Sequence, residues 1–417
     1  MEIQYAVCCG IDVHKKLLVC CVREGDKTEI IECGTSTREI LELSDLLLER
    51  GCEAVAMEST GSYWKPIYNI FEQAGIYTMV VNAQHMRNVP GRKTDVKDAE
   101  WISDLLYHGL LTSSYIPEKR QRELRELVSY RKSLVKTRAA ELNRLQKMLE
   151  GANIKISGTI SNIDGMSGRS LLDVIESGEV FDAKLYDRLL KEKKISKRLK
   201  AGKNRLIDDM NGCLSPTQFR MIREIRSHIQ ELENHIRQLN QDIDDSMNDE
   251  EKEDAKRLET VPGISDSSSK IILAVIGTDM SRFPTARHLS SWAGLCPGNH
   301  ESAGKKKNGR TNKGNKLLRT TLVICAHSAV TRKDCYYSAL YNKIAAHRGK
   351  KRAIVAVAHS MLQAIYYILK KKEPYMELGA DYYASKNREG KIKGFVKKLS
   401  ALGVIVPETE IQKALAV

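Results

Sequence analysis

Residues 5–22 read YAVCCGIDVHKKLLVCCV. Two apolar runs rich in valine and cysteine, 5–11 and 17–22, flank the polar stretch DVHKK. Runs of this length and composition are typical of β-strands, and a third short run follows at 28–33. The stretch therefore predicts a three-stranded antiparallel meander at the start of the chain.

Helical and strand-like segments alternate after the meander. The predicted strands are 5–11, 17–22, 28–33, 54–57 and 77–81, and the predicted helices are 38–50, 63–73 and 96–106. A meander followed by alternating helices and strands is the element order of the ribonuclease H fold. We therefore predict an α/β domain with this fold over residues 1–116.

Residues 117–257 are predicted to form long polar helices with coiled-coil spacing. The apolar positions are Val128, Val135, Leu142 and Leu149 in the first helix, and Ile222, Ile225, Ile229, Leu232, Ile236, Leu239 and Ile243 in the second. Either an antiparallel hairpin or a seam between subunits would bury them, and we expect the second helix to be an association surface. The segment between the helices, about 151–216, is lysine-rich at 184–205 and is predicted to be a peripheral insertion without an assigned role.

Residues 258–417 are predicted to form a mainly helical domain. Its longest uncharged run, 353–369, has 17 residues and is shorter than a comfortable membrane span, so we expect a buried helix and no membrane partner. The segment LETVPGI at 258–264 resembles a helix-hairpin-helix, whose backbone amides can bind phosphate. An ordinary Pro-Gly turn between two helices is the alternative.

Charge is distributed unevenly along the chain. Residues 1–116 carry 11 basic and 17 acidic side chains, whereas residues 117–417 carry 56 basic and 36 acidic ones. Such asymmetry is expected when one part performs chemistry and the rest holds a polyanion. Nucleic acid is the leading partner, and anionic lipid is the alternative.

The ten cysteines include no C-x-x-C pair, and six of them fall within the first 52 residues. In strand-like segments cysteine behaves as a small buried apolar residue. No signal peptide is recognisable at residues 1–10, so we predict that the protein is located in a reducing cytoplasm. Without C-x-x-C pairs, we do not predict a zinc site with cysteine ligands.

Four acids make up the first candidate site. Asp12 lies at the end of the first predicted strand, Glu58 ends the fourth, and Asp95 and Asp98 share one face of a helix start. Taken singly, each acid could have a structural role instead of a metal-binding one, such as complementing the dipole of a helix. Together they can hold two divalent cations for phosphoryl transfer. His14 is interpreted as a neighbour of this site and not as a ligand.

The second candidate site is Ser302 with the basic strip that follows it. Ser302 stands in a glycine-flanked turn, and the strip contains seven cations without an intervening acid. These are Lys305, Lys306, Lys307, Arg310, Lys313, Lys316 and Arg319. Such a strip suits a phosphate backbone. Most serines in such turns are merely hydrogen-bonded loop residues.

Several motifs together resemble the DEDD-type insertion-sequence transposases, the bridge-RNA-guided serine recombinases. The matching motifs are GIDVHK at 10–15, ESTG at 58–61, KTDVKDA at 93–99, VPGI at 261–264, GLCP at 294–297, ESAG at 301–304 and TNKGNKLLR at 311–319. The resemblance covers about residues 5–150 and 220–370. The family usually has glycine directly after its serine, whereas this chain has Ala303.

The resemblance implies a RuvC-like ribonuclease H domain, a coiled coil and a C-terminal transposase domain. It implies that Asp12, Glu58, Asp95 and Asp98 bind Mg or Mn, two ions per composite site, and that Ser302 attacks DNA. It further implies double-stranded donor and target DNA, a structured bridge RNA, and self-association to a dimer or tetramer. The alternatives are a RuvC-like junction-resolving nuclease, in which water attacks, and a catalytically silent nucleic-acid-binding protein.

Overall fold

A computed structural model describes residues 3–59, 61–81, 98–200, 202–297, 300–302, 305–308, 311, 314–382 and 388–416. The chain divides into two compact units, Met1–Glu118 and Lys119–Val417. The first unit contains a β-sheet with helices, and the second is mainly helical.

The N-terminal unit is built on a five-stranded mixed sheet. Its strands are β1 (Val7–Val13), β2 (Leu18–Glu24), β3 (Lys27–Cys33), β4 (Ala54–Glu58) and β5 (Thr78–Val81). They lie in the order β3-β2-β1-β4-β5, with β1 to β3 antiparallel and β4 and β5 parallel to β1. The predicted meander and the mixed α/β class are confirmed, and the order is consistent with a ribonuclease H-like domain.

Three helices cover the two faces of this sheet. They are α1 (Thr37–Glu49), α2 (Trp64–Gln73) and α3 (Asp98–Tyr107). Helices α1 and α2 share a core with Cys9, Ile11 and Val13, whereas α3 shares one with Cys8. Because side chains alternate along a strand, Gly10 and Asp12 lie on the α3 face.

Buried cysteines contribute to both of these cores. All ten cysteines of the chain are free thiols. Burial raises the pKa of Cys8 to about 11 and that of Cys52 to about 12. Thiols that remain protonated at neutral pH pack as small apolar groups.

Two long helices of the C-terminal unit form an antiparallel hairpin. They are α4 (Lys119–Gly151) and α9 (Pro216–Ser246). Arg120 donates to the carbonyl of Ser246 at 3.0 Å, and farther along Arg138 Nε donates to Glu233 Oε1 at 3.0 Å. The partners descend along α9 as they ascend along α4, so the helices run in opposite directions.

The hairpin buries the apolar seam of α9 within the chain. Ile222, Ile229, Leu232 and Ile243 are all buried. The expectation that this seam is an association surface is therefore corrected for these four positions, whereas Ile225, Ile236 and Leu239 are half-buried. In α4 the predicted position Val135 is 42% exposed, and Leu134 is buried instead.

The insertion folds into a small helical cap at the tip of the hairpin. Its helices are α5 (Ile156–Thr159), α6 (Met166–Ser177), α7 (Ala183–Lys191) and α8 (Lys203–Met210). Their apolar side chains share a core with Leu145 and Leu149 of α4 and with Ile222 and Ile229 of α9. The cap is therefore an ordered extension of the hairpin.

The structure describes eight helices after the hairpin, and the first six of them pack around its base. They are α10 (Asp249–Glu259), α11 (Asp266–Ile276), α12 (Ala286–Trp292), α13 (Lys316–Val330), α14 (Tyr336–Arg348), α15 (Lys350–Lys371), α16 (Arg388–Ala401) and α17 (Glu408–Ala416), with a 3₁₀ turn at Met280–Arg282. Leu124 and Val128 of α4 and Ile243 of α9 belong to the same core. The hairpin thus joins two separate cores.

Helix α15 lies at the centre of the C-terminal core. Of the helices that the structure describes, it is the one long and apolar enough to cross a membrane. Its buried positions include Val357, Met361 and Ile365, each fully inaccessible to solvent. The apolar run is therefore a buried core helix, as the sequence predicts.

Replacing Ile229 by alanine tests the packing of the hairpin. Ile229 is buried in the seam, so Ile229→Ala should lower the free energy of unfolding by about 2–5 kcal/mol. Met221→Ala is the control, because Met221 is 46% exposed on the same helix, and it should change stability by less than about 0.5 kcal/mol. Chemical unfolding followed by circular dichroism measures both. Unchanged stability with a smaller mass in solution would instead place Ile229 between subunits.

Candidate active site

Asp12 and Glu58 lie side by side on adjacent parallel strands. The register pairs Gly10 with Ala56 and Ile11 with Met57, so Asp12 and Glu58 are the next neighbours along β1 and β4. Both follow the alternation that directs Cys8 and Ala54 towards α3. Because neighbouring strands are about 4.8 Å apart, the two residues lie next to each other at the carboxyl ends of β1 and β4.

Gly10 allows helix α3 to approach the sheet closely. A Cβ atom at Gly10 would overlap the backbone carbonyl oxygen of Ala99 and the backbone nitrogen of Ser103. Helix backbone therefore lies directly against strand backbone two residues before Asp12. Asp98 immediately precedes Ala99 at the start of α3, so it lies next to this contact.

The three described acids are half-buried. His14, which is exposed, lies beside them with its Nε2 at 3.1 Å from Asp12 Oδ2. A protonated imidazole there would compensate the charge of Asp12. This contact agrees with the interpretation of His14 as a neighbour of the site.

A divalent ion fits the donor chemistry of this edge. Mg and Mn favour carboxylate oxygens, and the acids offer oxygens on one face of the sheet. Among the described residues, no three His, Cys, Asp or Glu side chains are grouped closely enough to hold an ion. Asp95, the fourth predicted acid, lies outside the described residues.

Sequence patterns alone did not reveal the role of Gly10. A glycine inside an otherwise apolar strand is a signal of close backbone approach. That signal is present in the VCCGIDV segment, directly before the first acid. It could have identified the strand position on which α3 packs.

Ser302 lies on a β-hairpin in the C-terminal unit. It ends β6 (His300–Ser302), which pairs antiparallel with β7 (Lys305–Asn308), and Ser302 is opposite Lys305. The predicted turn position is therefore a strand end. The local sequence signal was dominated by glycines, whereas cross-strand pairing extends the strand through Ser302.

The hairpin is closed at its base by another close backbone approach. Pro297 forms a β-bridge with Thr311, and a Cβ atom at Gly314 would overlap the backbone of Ala293 and Gly294. These residues connect the end of α12 to the start of α13. Ser302 is thus carried by a hairpin whose two ends are held together.

The basic strip extends from this hairpin into α13. Lys305, Lys306 and Lys307 lie on β7, whereas Lys316 begins α13 and Arg319 follows in its first turn. Arg310 and Lys313 lie outside the described residues. Asn315 caps α13, with its side chain accepting from the backbone nitrogen of Leu318 at 2.9 Å.

The VPGI turn joins α10 to α11 and packs inside the unit. Val261, Pro262 and Ile264 are buried, and a Cβ atom at Gly263 would overlap the carbonyl of Cys325 on α13. The side chain of Ser265 caps α11. These contacts favour the alternative of an ordinary Pro-Gly turn over phosphate binding.

Both predicted sites fall within segments that match known transposase families. Residues 9–154 match a DEDD-type transposase model, and residues 255–342 match a model described as the transposase IS116/IS110/IS902 family. Two segments of this chain therefore match IS110-family transposase domains. The first match includes all four candidate acids, and the second includes Ser302 and the basic strip.

Two relatives illustrate the range of this homology. The chain is 24% identical over 378 residues to the transposase for insertion sequence element IS1111A of Coxiella burnetii, which covers 88% of this chain and 90% of that protein. It is 31% identical over 124 residues to a pilin gene-inverting protein of Moraxella lacunata, covering 29% and 38% of the two chains. Transposase domains imply DNA-processing activity, and the DEDD type typically depends on divalent metal ions.

Gly10→Ala tests the close contact between α3 and β1, which lies beside Asp98 and Asp12. The added methyl group must push α3 away from β1, so we expect a loss of about 1–3 kcal/mol in stability. Displacement of Asp98 should also weaken stabilisation of the protein by Mn²⁺, measured as the shift of the unfolding temperature. Gly158→Ala is the control, because the space that its methyl group would enter is open. Equal effects of Mn²⁺ on both variants would contradict the role of Gly10.

Proposed function

We propose that this protein is the transposase of an insertion sequence, which cleaves and exchanges DNA strands through a covalent phosphoserine intermediate at Ser302. In this proposal Asp12, Glu58, Asp95 and Asp98 hold divalent cations. The observation that carries it is the arrangement of Asp12 and Glu58 on adjacent strands of the face covered by α3. The family matches support a DNA-processing enzyme.

Carboxylates at this position suit phosphoryl transfer because the substrate is an anion. Without compensation, the negative phosphodiester would be repelled by the acids. A bound Mg or Mn ion would supply a Lewis acid that screens this charge and stabilises the oxygens of the phosphoryl group. Two ions would use the full set of four acids.

Ser302 provides a nucleophile that conserves the phosphodiester bond energy. Its oxygen attacks phosphorus and forms a serine–phosphate ester, while the bond from phosphorus to one DNA ester oxygen breaks. The hydroxyl proton leaves the serine, and the departing DNA oxygen is protonated. Attack by another DNA hydroxyl then restores a phosphodiester and the free serine, so no external energy source is required.

The strip beside Ser302 is proposed to bind the DNA backbone. Lys305, Lys306 and Lys307 follow one another on one strand, and Arg310, Lys313, Lys316 and Arg319 continue the run of cations along the sequence. Contacts of this type position DNA without determining its sequence. The choice of DNA sequence would then depend on contacts other than those of this strip.

RNA guidance and self-association rest on the family resemblance. We propose that a structured bridge RNA pairs with donor and target DNA and that the protein acts in the cytoplasm as a dimer or tetramer. Ile222, Ile229, Leu232 and Ile243 of α9 are buried within the chain, so these four side chains are not available to another subunit. Sequencing of nucleic acid that copurifies with the protein identifies the RNA, and recovery of no specific RNA would contradict this part.

Asp98→Asn tests the role of the acids. The change removes one charged ligand and conserves shape, so metal-dependent strand cleavage should fall by about a hundredfold or more while the fold is retained. Asp45→Asn is a matched control, because Asp45 is exposed on α1, which covers the opposite face of the sheet. Cleavage of labelled DNA with and without chelator measures both. Full cleavage by Asp98→Asn would refute the metal site.

Ser302→Ala tests the nucleophile. One hydroxyl is lost beside a strip dominated by charge, so DNA affinity should stay near that of the wild type while strand exchange disappears. With DNA carrying a radiolabelled phosphate, label should remain on the Ser302 peptide of the wild type after denaturation and digestion. Ser291→Ala, on an exposed residue of α12, should behave as the wild type.

The same experiment separates a transposase from the junction-resolving nuclease. If water is the nucleophile, no peptide carries label and Ser302→Ala cleaves normally. If the protein only binds nucleic acid, no strand is cleaved under any metal condition. Both outcomes would overturn the proposal.

A further inference from the structure

The helical cap at the hairpin tip carries a concentrated positive surface. Residues 183–205 contain ten basic side chains and two acidic ones. Four of the cations form ion pairs within the cap: Arg188 with Glu179, Lys194 with Glu192, Lys203 with Asp187 and Arg205 with Asp209. These pairs neutralise only part of the surface.

Six cations of this segment are exposed and form no ion pair within the described part of the chain. They are Lys184, Lys191, Lys193, Lys197, Arg198 and Lys200. Like charges crowded on one short segment repel each other and do not stabilise the fold. A surface of this kind is therefore suited to an external polyanion.

The loop that connects α7 to α8 holds several of these cations in place. Its backbone nitrogen at Lys200 donates to the carbonyl of Thr159 at 2.9 Å, and that of Ser196 donates to Ser167 Oγ at 2.9 Å. Ile195 is buried in the core of the cap. Because the loop is anchored at three points, little backbone freedom would be lost when its cations bind a ligand.

The architecture of the C-terminal unit suits a ligand of extended shape. Val128 belongs to the core at the base of the hairpin, and Leu145 belongs to the core of the cap. Seventeen residues of continuous helix separate them, which corresponds to about 25 Å. The cap therefore has a core separate from the one that holds α13, the helix into which the basic strip continues.

We propose that the helical cap is a second nucleic-acid-binding surface, which grips the phosphate backbone of a duplex through Lys197, Arg198, Lys200 and the neighbouring cations. A duplex presents a continuous row of phosphates, which matches an unpaired set of fixed cations. Ile195 is buried and Leu199 is half-buried, so this loop lacks the exposed apolar residues that insert into a lipid surface. This binding role is additional to the proposed chemistry at Ser302 and the acids.

The test compares two double variants with equal changes in charge. Lys197→Ala/Lys200→Ala removes two exposed cations from the loop. Lys252→Ala/Lys256→Ala, the control, removes two exposed lysines from α10, a helix that begins with Asp249, Glu250 and Glu251. Affinity of the full chain for a 30-base-pair DNA duplex and for an RNA duplex of equal length is measured as a function of salt concentration.

Each lost phosphate contact lowers the slope of log affinity against log salt by about 0.9 on B-DNA. The loop variant should therefore lower the slope by nearly two units on DNA, or by a corresponding amount on RNA, and the control should leave it unchanged. The duplex on which the salt slope falls is the one that the cap binds. Unchanged slopes on both duplexes would overturn the proposal.

Binding measured in this way is independent of strand cleavage. If Ser302→Ala or Asp98→Asn abolished no chemistry, the proposed function would fail while the salt slopes could still support a nucleic-acid-binding cap. If the slopes failed while serine labelling succeeded, only the cap proposal would fail. Lys197→Gln/Lys200→Gln removes the same two charges but keeps longer polar side chains. It shows whether the alanine variant acts through lost charge or through lost side-chain length.

Discussion

The close approach of helix α3 to strand β1 at Gly10 determines the arrangement of the N-terminal acids. No side chain separates the two backbones there, and the small residues Cys8, Ala54 and Ala56 keep the neighbouring surface flat. The helix can therefore begin beside the strand ends. Asp98 directly precedes Ala99, one of the residues in this contact, so the contact fixes where the start of α3 lies on the sheet.

The C-terminal unit uses the same principle around Ser302. Gly314 packs against the backbone of Ala293 and Gly294, which closes the base of the β6–β7 hairpin. At Gly263, which has a φ of +87°, the turn between α10 and α11 packs against α13. Helices and loops that approach at backbone distance have few alternative arrangements, so the parts that carry the candidate chemistry are held by steric contact.

Electrostatic pairing explains how the remaining charges are organised. Glu233 of α9 accepts hydrogen bonds from Arg138 of α4 and from Arg169 of the cap, and Arg169 also donates to Asp164 at 2.8 Å. These half-buried pairs tie the cap to the hairpin. At the other end, the fully buried Asp254 is paired with Arg257 and Lys372. Paired charges such as these serve the fold, whereas the unpaired cations of the cap are available to a polyanion.

The sequence alone determined the order of strands and helices, the mixed class of the N-terminal unit and the position of two acids at strand ends. These properties depend on alternation, helical spacing and local composition, all of which are visible within about ten residues. The acids Asp12 and Glu58 could be placed because a carboxylate at the end of an apolar strand is a local pattern.

The tertiary structure decided which surfaces meet. It showed that the seam around Ile229 packs within the chain, that Leu134 and not Val135 faces that seam, and that Gly10 brings α3 to the sheet. Such choices depend on contacts between residues far apart in sequence, and periodicity cannot identify the partner that buries an apolar face.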